Sequence, residues 1–164
     1  MIVDLRGARG LIEDPDATLR RASEWAKGKR VEVLLADARA VFGRDHLESA
    51  ARHAERAQAR GTMASRSLAM ETLLYLSGRR QVADAIAAAG IRNGTRGIAV
   101  AVFGDTLAAH LVDAMGWVTD PRVLEPHGKD LGVLGVSDRA ARTVEKARQA
   151  DLALERVALV DVEK

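Results

Sequence analysis

Three helical patterns stand in a row between Asp45 and Gly90, each followed by a glycine, and this run excludes the regular strand–helix alternation of a doubly wound sheet. In the first, Asp45 is placed as an N-cap, and Leu47, Ala50, Ala51, Ala54 and Ala57 recur at three- and four-residue steps up to Arg60, with Gly61 in the cap position. The second covers residues 63–76, and Gly78 lies just beyond its end. The third covers residues 79–89, with Val82, Ala85, Ile86 and Ala89 on one face, and stops at Gly90. The chain therefore reverses within Ser77-Gly78-Arg79-Arg80, with two arginines at the start of a helix.

The flanking segments supply a sheet. Residues 1–6 alternate loosely, residues 31–36 begin with a β-branched side chain, and residues 97–103 form a Val- and Ile-rich run of the kind buried on both faces of a sheet. A helix over 17–27 follows Asp14-Pro15-Asp16, another is expected over 106–115, and residues 118–129, with Pro121 and Pro126, read as loop or short strand. Ser137-Asp138 opens a last helix to about residue 150, and residues 156–162 alternate as a final strand. The expectation is one α+β domain over residues 1–164, with a mixed, largely antiparallel sheet of four or five strands flanked by helices. With 48% hydrophobic but only 3% aromatic residues, its core has to be built from Leu, Val, Ile and Ala.

Little in the sequence points to catalysis. Cysteine is absent, so thiolate chemistry and cysteine-ligated metals are excluded. The four histidines, His46, His53, His110 and His127, lack the short helical spacing of a zinc-binding helix, and no metal or other cofactor is expected. Neither a Walker loop, a dinucleotide fingerprint nor a nucleophile elbow occurs; Gly7-Ala8-Arg9-Gly10 reads as a turn, and Asp37 as a turn or cap carboxylate. The apolar runs are too short to span a bilayer, and residues 1–20 lack a secretion signal, so a soluble, cytoplasmic protein is expected.

Charge is unevenly distributed. The formal net charge is +2, yet the stretch from Gly43 to Arg80 holds seven arginines against four acids, while the stretch from Gln81 to Lys164 is slightly acidic. Such a local basic face suits limited contact with phosphates. At the reversal, Arg79 and Arg80 stand where free N–H groups of a helix start favour an anion, Gln81 offers a hydrogen bond to a base or sugar, and Arg66 precedes them on the neighbouring helix. Each arginine has as its alternative a solvated charge paired with Glu71 or Asp84. Tyr75 offers a stacking face, but its place between Leu74 and Leu76 favours core packing. For His46 an RNA contact competes with a backbone-capping role.

The run Glu71-Thr72-Leu73-Leu74-Tyr75-Leu76-Ser77-Gly78-Arg79-Arg80-Gln81, followed by Ala85-Ile86 and Gly90-Ile91, resembles the signature of the kinase-binding subunit family of the KEOPS complex, TPRKB-like in human terms. Gly43, His46-Leu47 and Ala50 resemble that family's G-x-x-HL-x-x-A stretch, and Leu134-Gly135-Val136-Ser137-Asp138 with residues 154–162 resembles its carboxyl end. The resemblance implies a non-catalytic, archaeal-type subunit of a complex that adds threonylcarbamoyl to a tRNA adenosine. It implies binding to the KEOPS atypical kinase subunit and the 3′ CCA end of tRNA, with other subunits engaged indirectly. The implied tRNA contacts are Arg79, Arg80, Gln81, Arg66 and His46; the implied kinase contacts are Leu134, Val136 and Val144. A free-standing RNA-binding regulator and an enzyme of unrecognised type are the alternatives.

Overall fold

The computed structural model describes residues 2–163. Four strands, β1 (Val3–Arg9), β2 (Glu32–Asp37), β3 (Gly97–Phe103) and β4 (Val118–Thr119), form an open sheet in the order β2-β3-β1-β4, and every pairing is antiparallel. The described residues contain seven α-helices: α1 (Pro15–Lys29), α2 (Arg44–Arg60), α3 (Leu68–Ser77), α4 (Val82–Ala89), α5 (Ala108–Ala114), α6 (Asp138–Arg142) and α7 (Gln149–Glu163). This is the expected single-domain α+β architecture, with Met1 of the first expected strand lying outside the described residues.

The strand period of two divides the apolar residues of β3 between two cores. Ala99, Ala101 and Phe103 face one cluster with Leu5, Leu34 and the buried faces of α2, α3 and α7. Ile98, Val100 and Val102 face the other, with Ala22 of α1 and Leu111 and Val112 of α5. Burial on both sides is what the unbroken apolar run of β3 demands. The alanines of α2 let it lie close to α3: Ala50 and Ala54 are wholly buried, and Ala51 and Ala57 nearly so.

Several local expectations are corrected. Residues 156–162 are helical, part of α7, because Ala153, Val157 and Val160 are the buried positions and their spacing is that of a helix face. The expected helix from Ser137 stops at Arg142; the chain then passes through an extended Glu145 into a 3-10 turn before α7. Helix α2 is preceded by Gly43 at φ +107°, and Asp45 sits in the first turn instead of capping it. Residues 63–67 are a loop, since α3 starts only at Leu68 with Ser67 as its cap. Gly7-Ala8-Arg9 belongs to β1. Glycine is needed at position 7 because a Cβ there would lie 2.7 Å from the Asp120 carbonyl oxygen.

Candidate nucleic-acid interface

Helix α3 closes with Gly78 at φ +69°, a left-handed conformation that suits glycine. The Gly78 N–H donates to the Tyr75 carbonyl (3.2 Å) and the Arg79 N–H to the Leu74 carbonyl (3.2 Å), so the end of α3 is satisfied by the main chain. Helix α4 begins at Val82 with Gln81 in the cap position. Arg79 and Arg80 therefore precede the helix instead of starting it, and the Arg79 N–H is already spent on α3. The helix-start argument for anion binding does not hold for these two residues; their side chains have to carry it.

Those side chains reach a cleft of about 750 Å³ whose lining includes Thr62, Arg79, Arg80, Gln81, Asp84 and Arg156. Arg79 is half-buried, with Nη2 donating to the Val133 carbonyl (3.0 Å). Arg80 and Gln81 are exposed, and Arg80 reaches the Glu163 carbonyl only at 3.5 Å. Arg156, from the middle of α7, lies over the glycine turn and donates from Nη2 to the Gly78 carbonyl (3.2 Å). Its Nε is buried without an acceptor among the described residues. Asp84 and Glu163 are the acids along this cleft, which leaves cations in the majority.

Two of the expected RNA contacts fall elsewhere. Arg66 is exposed on the loop before α3 but does not line the cleft. His46 has no accessible surface: Nδ1 accepts from the Phe42 N–H (3.0 Å), and Nε2 donates to the Leu76 carbonyl (3.1 Å). Burial lowers its pKa to about 4; the Leu76 carbonyl partly offsets that and the charge of Lys129 adds to it. His46 is a neutral clamp between the start of α2 and the end of α3, out of reach of any RNA. Glu71, an expected partner for surface arginines, is also wholly buried, and accepts from the N–H groups of Ala64 and Ser65 and from the Ser65 hydroxyl. Tyr75 packs in the core as its neighbours suggested, with its hydroxyl donating to Asp161, whose other oxygen meets His53 Nδ1 at 2.7 Å.

Of the expected kinase contacts, Leu134 is fully buried in a 3-10 turn (Leu131–Leu134) that packs against α7 and α4, so it supports a surface without forming one. Val136 and Val144 are half-exposed, Val136 directly after that turn and Val144 in the break between α6 and α7. Arg156 is the cleft residue that sequence reasoning missed. Reading residues 156–162 as a strand hid the helical spacing of Ala153, Val157 and Val160, which would have set Arg156 beside the α3 turn. Among the described residues no group of three or more His, Asp or Glu is placed to hold a metal ion, and no helix is long and apolar enough to cross a membrane.

Comparison with known proteins gives one family. A family model described as kinase binding protein CGI-121 matches residues 14–125, from the cap of α1 through the end of the 3-10 turn after β4. The match takes in the whole arginine turn and stops before Val136 and Val144. Among curated proteins there is no match.

Proposed function

The chain belongs to the CGI-121 family of kinase binding proteins, and we propose that it is the non-catalytic, cofactor-free subunit of an archaeal-type KEOPS assembly that modifies tRNA in the cytoplasm. In this reading it grips the atypical kinase subunit and presents the arginine turn to the 3′ CCA end of tRNA, while threonylcarbamoyl transfer to adenosine takes place on another subunit. The observation that supports the RNA half is the convergence of Arg79, Arg80 and Gln81, from a turn in which the Gly78 and Arg79 N–H groups return to α3, and of Arg156, from α7, on one open cleft. Guanidinium forks suit phosphate oxygens, and an exposed glutamine suits the edge of an unpaired base, the usual way in which single-stranded RNA ends are read. Arg66, exposed on the loop before α3, stays in this reading as a tRNA contact outside the cleft.

For the kinase half, the half-exposed Val136 and Val144 are the expected contacts that reach the surface, while Leu134 is buried. Because Leu134 is core, Leu134→Arg would disturb the fold, and Val136→Arg or Val144→Arg is the informative change. The test of the RNA half is binding of intact tRNA against tRNA lacking CCA. The reading predicts that removing CCA weakens binding and that Arg79→Glu with Arg80→Glu abolishes the difference. Equal binding of the two tRNAs by the unaltered protein would end the 3′-end reading.

A further inference from the structure

Arg79 and Asp84 line a second, adjoining cleft of about 540 Å³, where they are joined by Arg39 and Arg92. The three arginines come from distant parts of the chain: Arg39 from the 3-10 turn after β2, Arg79 from the turn after α3, and Arg92 from the loop between α4 and β3. Each is anchored by Nη2 on a main-chain carbonyl, Arg39 on Ala88 (3.1 Å), Arg92 on Ala87 (2.7 Å) and Arg79 on Val133 (3.0 Å). Ala87 and Ala88 form the last turn of α4, where carbonyl groups and the helix dipole favour cations.

Asp37, only 6% exposed, holds two of them from behind. Its carboxylate accepts from the Arg39 N–H (3.0 Å), Arg39 Nε (3.2 Å) and the Thr95 hydroxyl (2.9 Å), and lies 3.8 Å from Arg92 Nε. The guanidinium groups are thus set in position before any ligand arrives, and a guanidinium has five N–H donors, most of which stay unspent here. Lys129 and Arg96 extend the same basic ground into the next groove, so the charge of Asp37 and of Asp84 on the rim is outweighed. Three fixed forks around one open cleft match the oxygens of a phosphate.

We propose that Arg39, Arg79 and Arg92 form a receptor for a backbone phosphate of the same RNA strand whose 3′ end lies at Arg80 and Gln81. Arg79 and Asp84 line both clefts, which sets the two side by side. This inference rests on the RNA reading above and adds a second grip that is indifferent to base identity.

The test is fluorescence anisotropy with labelled oligoribonucleotides that end in CCA, one of three nucleotides and one of seven. The expected result is tighter binding of the longer strand. Arg92→Gln should remove that gain, roughly tenfold, leave the trinucleotide unchanged, and lower the dependence of log affinity on log salt by about 0.7. Arg39→Gln, at a residue that lines the second cleft and not the first, should remove the same gain and leave the trinucleotide unchanged. If Arg92→Gln also loses the trinucleotide through disturbance of α4, Arg39→Gln, on the 3-10 turn after β2, decides. Wild-type affinity for the longer strand in both variants, with the trinucleotide still bound, overturns the phosphate receptor and spares the 3′-end reading. Failure of the unaltered protein to bind either strand overturns both.

Discussion

The turn before α3 is organised by a side chain, whereas the turn after it is organised largely by main-chain bonds. In the first, the buried carboxylate of Glu71 gathers the N–H groups of Ala64 and Ser65 and the Ser65 hydroxyl. In the second, the N–H groups of Gly78 and Arg79 return to carbonyls of α3, so the side chains of Arg79, Arg80 and Gln81 are not needed to close the chain. A polar side chain whose hydrogen-bonding groups are spent on the backbone is committed to the fold; one that keeps donors to spare, as a guanidinium with a single carbonyl anchor does, is available for recognition. The difference separates Glu71 and His46, which hold the α2–α3 unit together, from Arg80 and Gln81, which hold nothing inside it.

The comparison breaks first at Glu71. Glu71→Ala leaves buried N–H donors without their charged acceptor and should cost about 4 kcal/mol; denaturant unfolding measures it, and a loss below about 1 kcal/mol would remove the distinction between the turns. The next effect depends on pH. His46 has its folded pKa lowered from 6.5 to about 4, so its contribution is fully present above pH 6.5 and is lost as pH falls toward 4. Unfolding free energies across that range should drop by about 3 kcal/mol from this group, and His46→Gln should flatten the slope. The smallest effect belongs to the other turn: Arg80→Glu should shift stability by no more than about 0.5 kcal/mol while weakening tRNA binding. A large loss of stability in this variant would make Arg80 part of the scaffold.

The layout of the sheet was legible where periodicity left no choice. The run of residues 97–103 can only be buried on both faces, and the alanine stripe of α2 can only be one side of a helix. Residues 156–162 were not legible, because Val157, Leu159 and Val160 satisfy an alternating pattern and a helical one almost equally, and only the packing of α7 on α2 and α3 decides between them. The candidate site divides along the same line. Composition pointed to the arginine turn, since Gly78 marks a helix end whatever surrounds it. It did not show that the next helix begins only at Val82, nor that Arg156 arrives from α7. For His46 the backbone role holds and the RNA contact does not; that contact, the surface pairing of Glu71 and the exposure of Leu134 fail for one reason: solvent exposure is a tertiary property, and a polar residue with well-placed backbone partners can be as buried as a leucine.

The account stands on the arginine turn being free for recognition while the polar residues on its other side hold the fold. Backbone amide NMR during titration with a CCA trinucleotide tests this most directly. The account predicts that signals of residues 78–84 move together and saturate, while the amides of Phe42 and Ser65, which serve His46 and Glu71 and lie outside the cleft lining, stay in place. Movement confined to those two amides, with residues 78–84 unchanged, would contradict it.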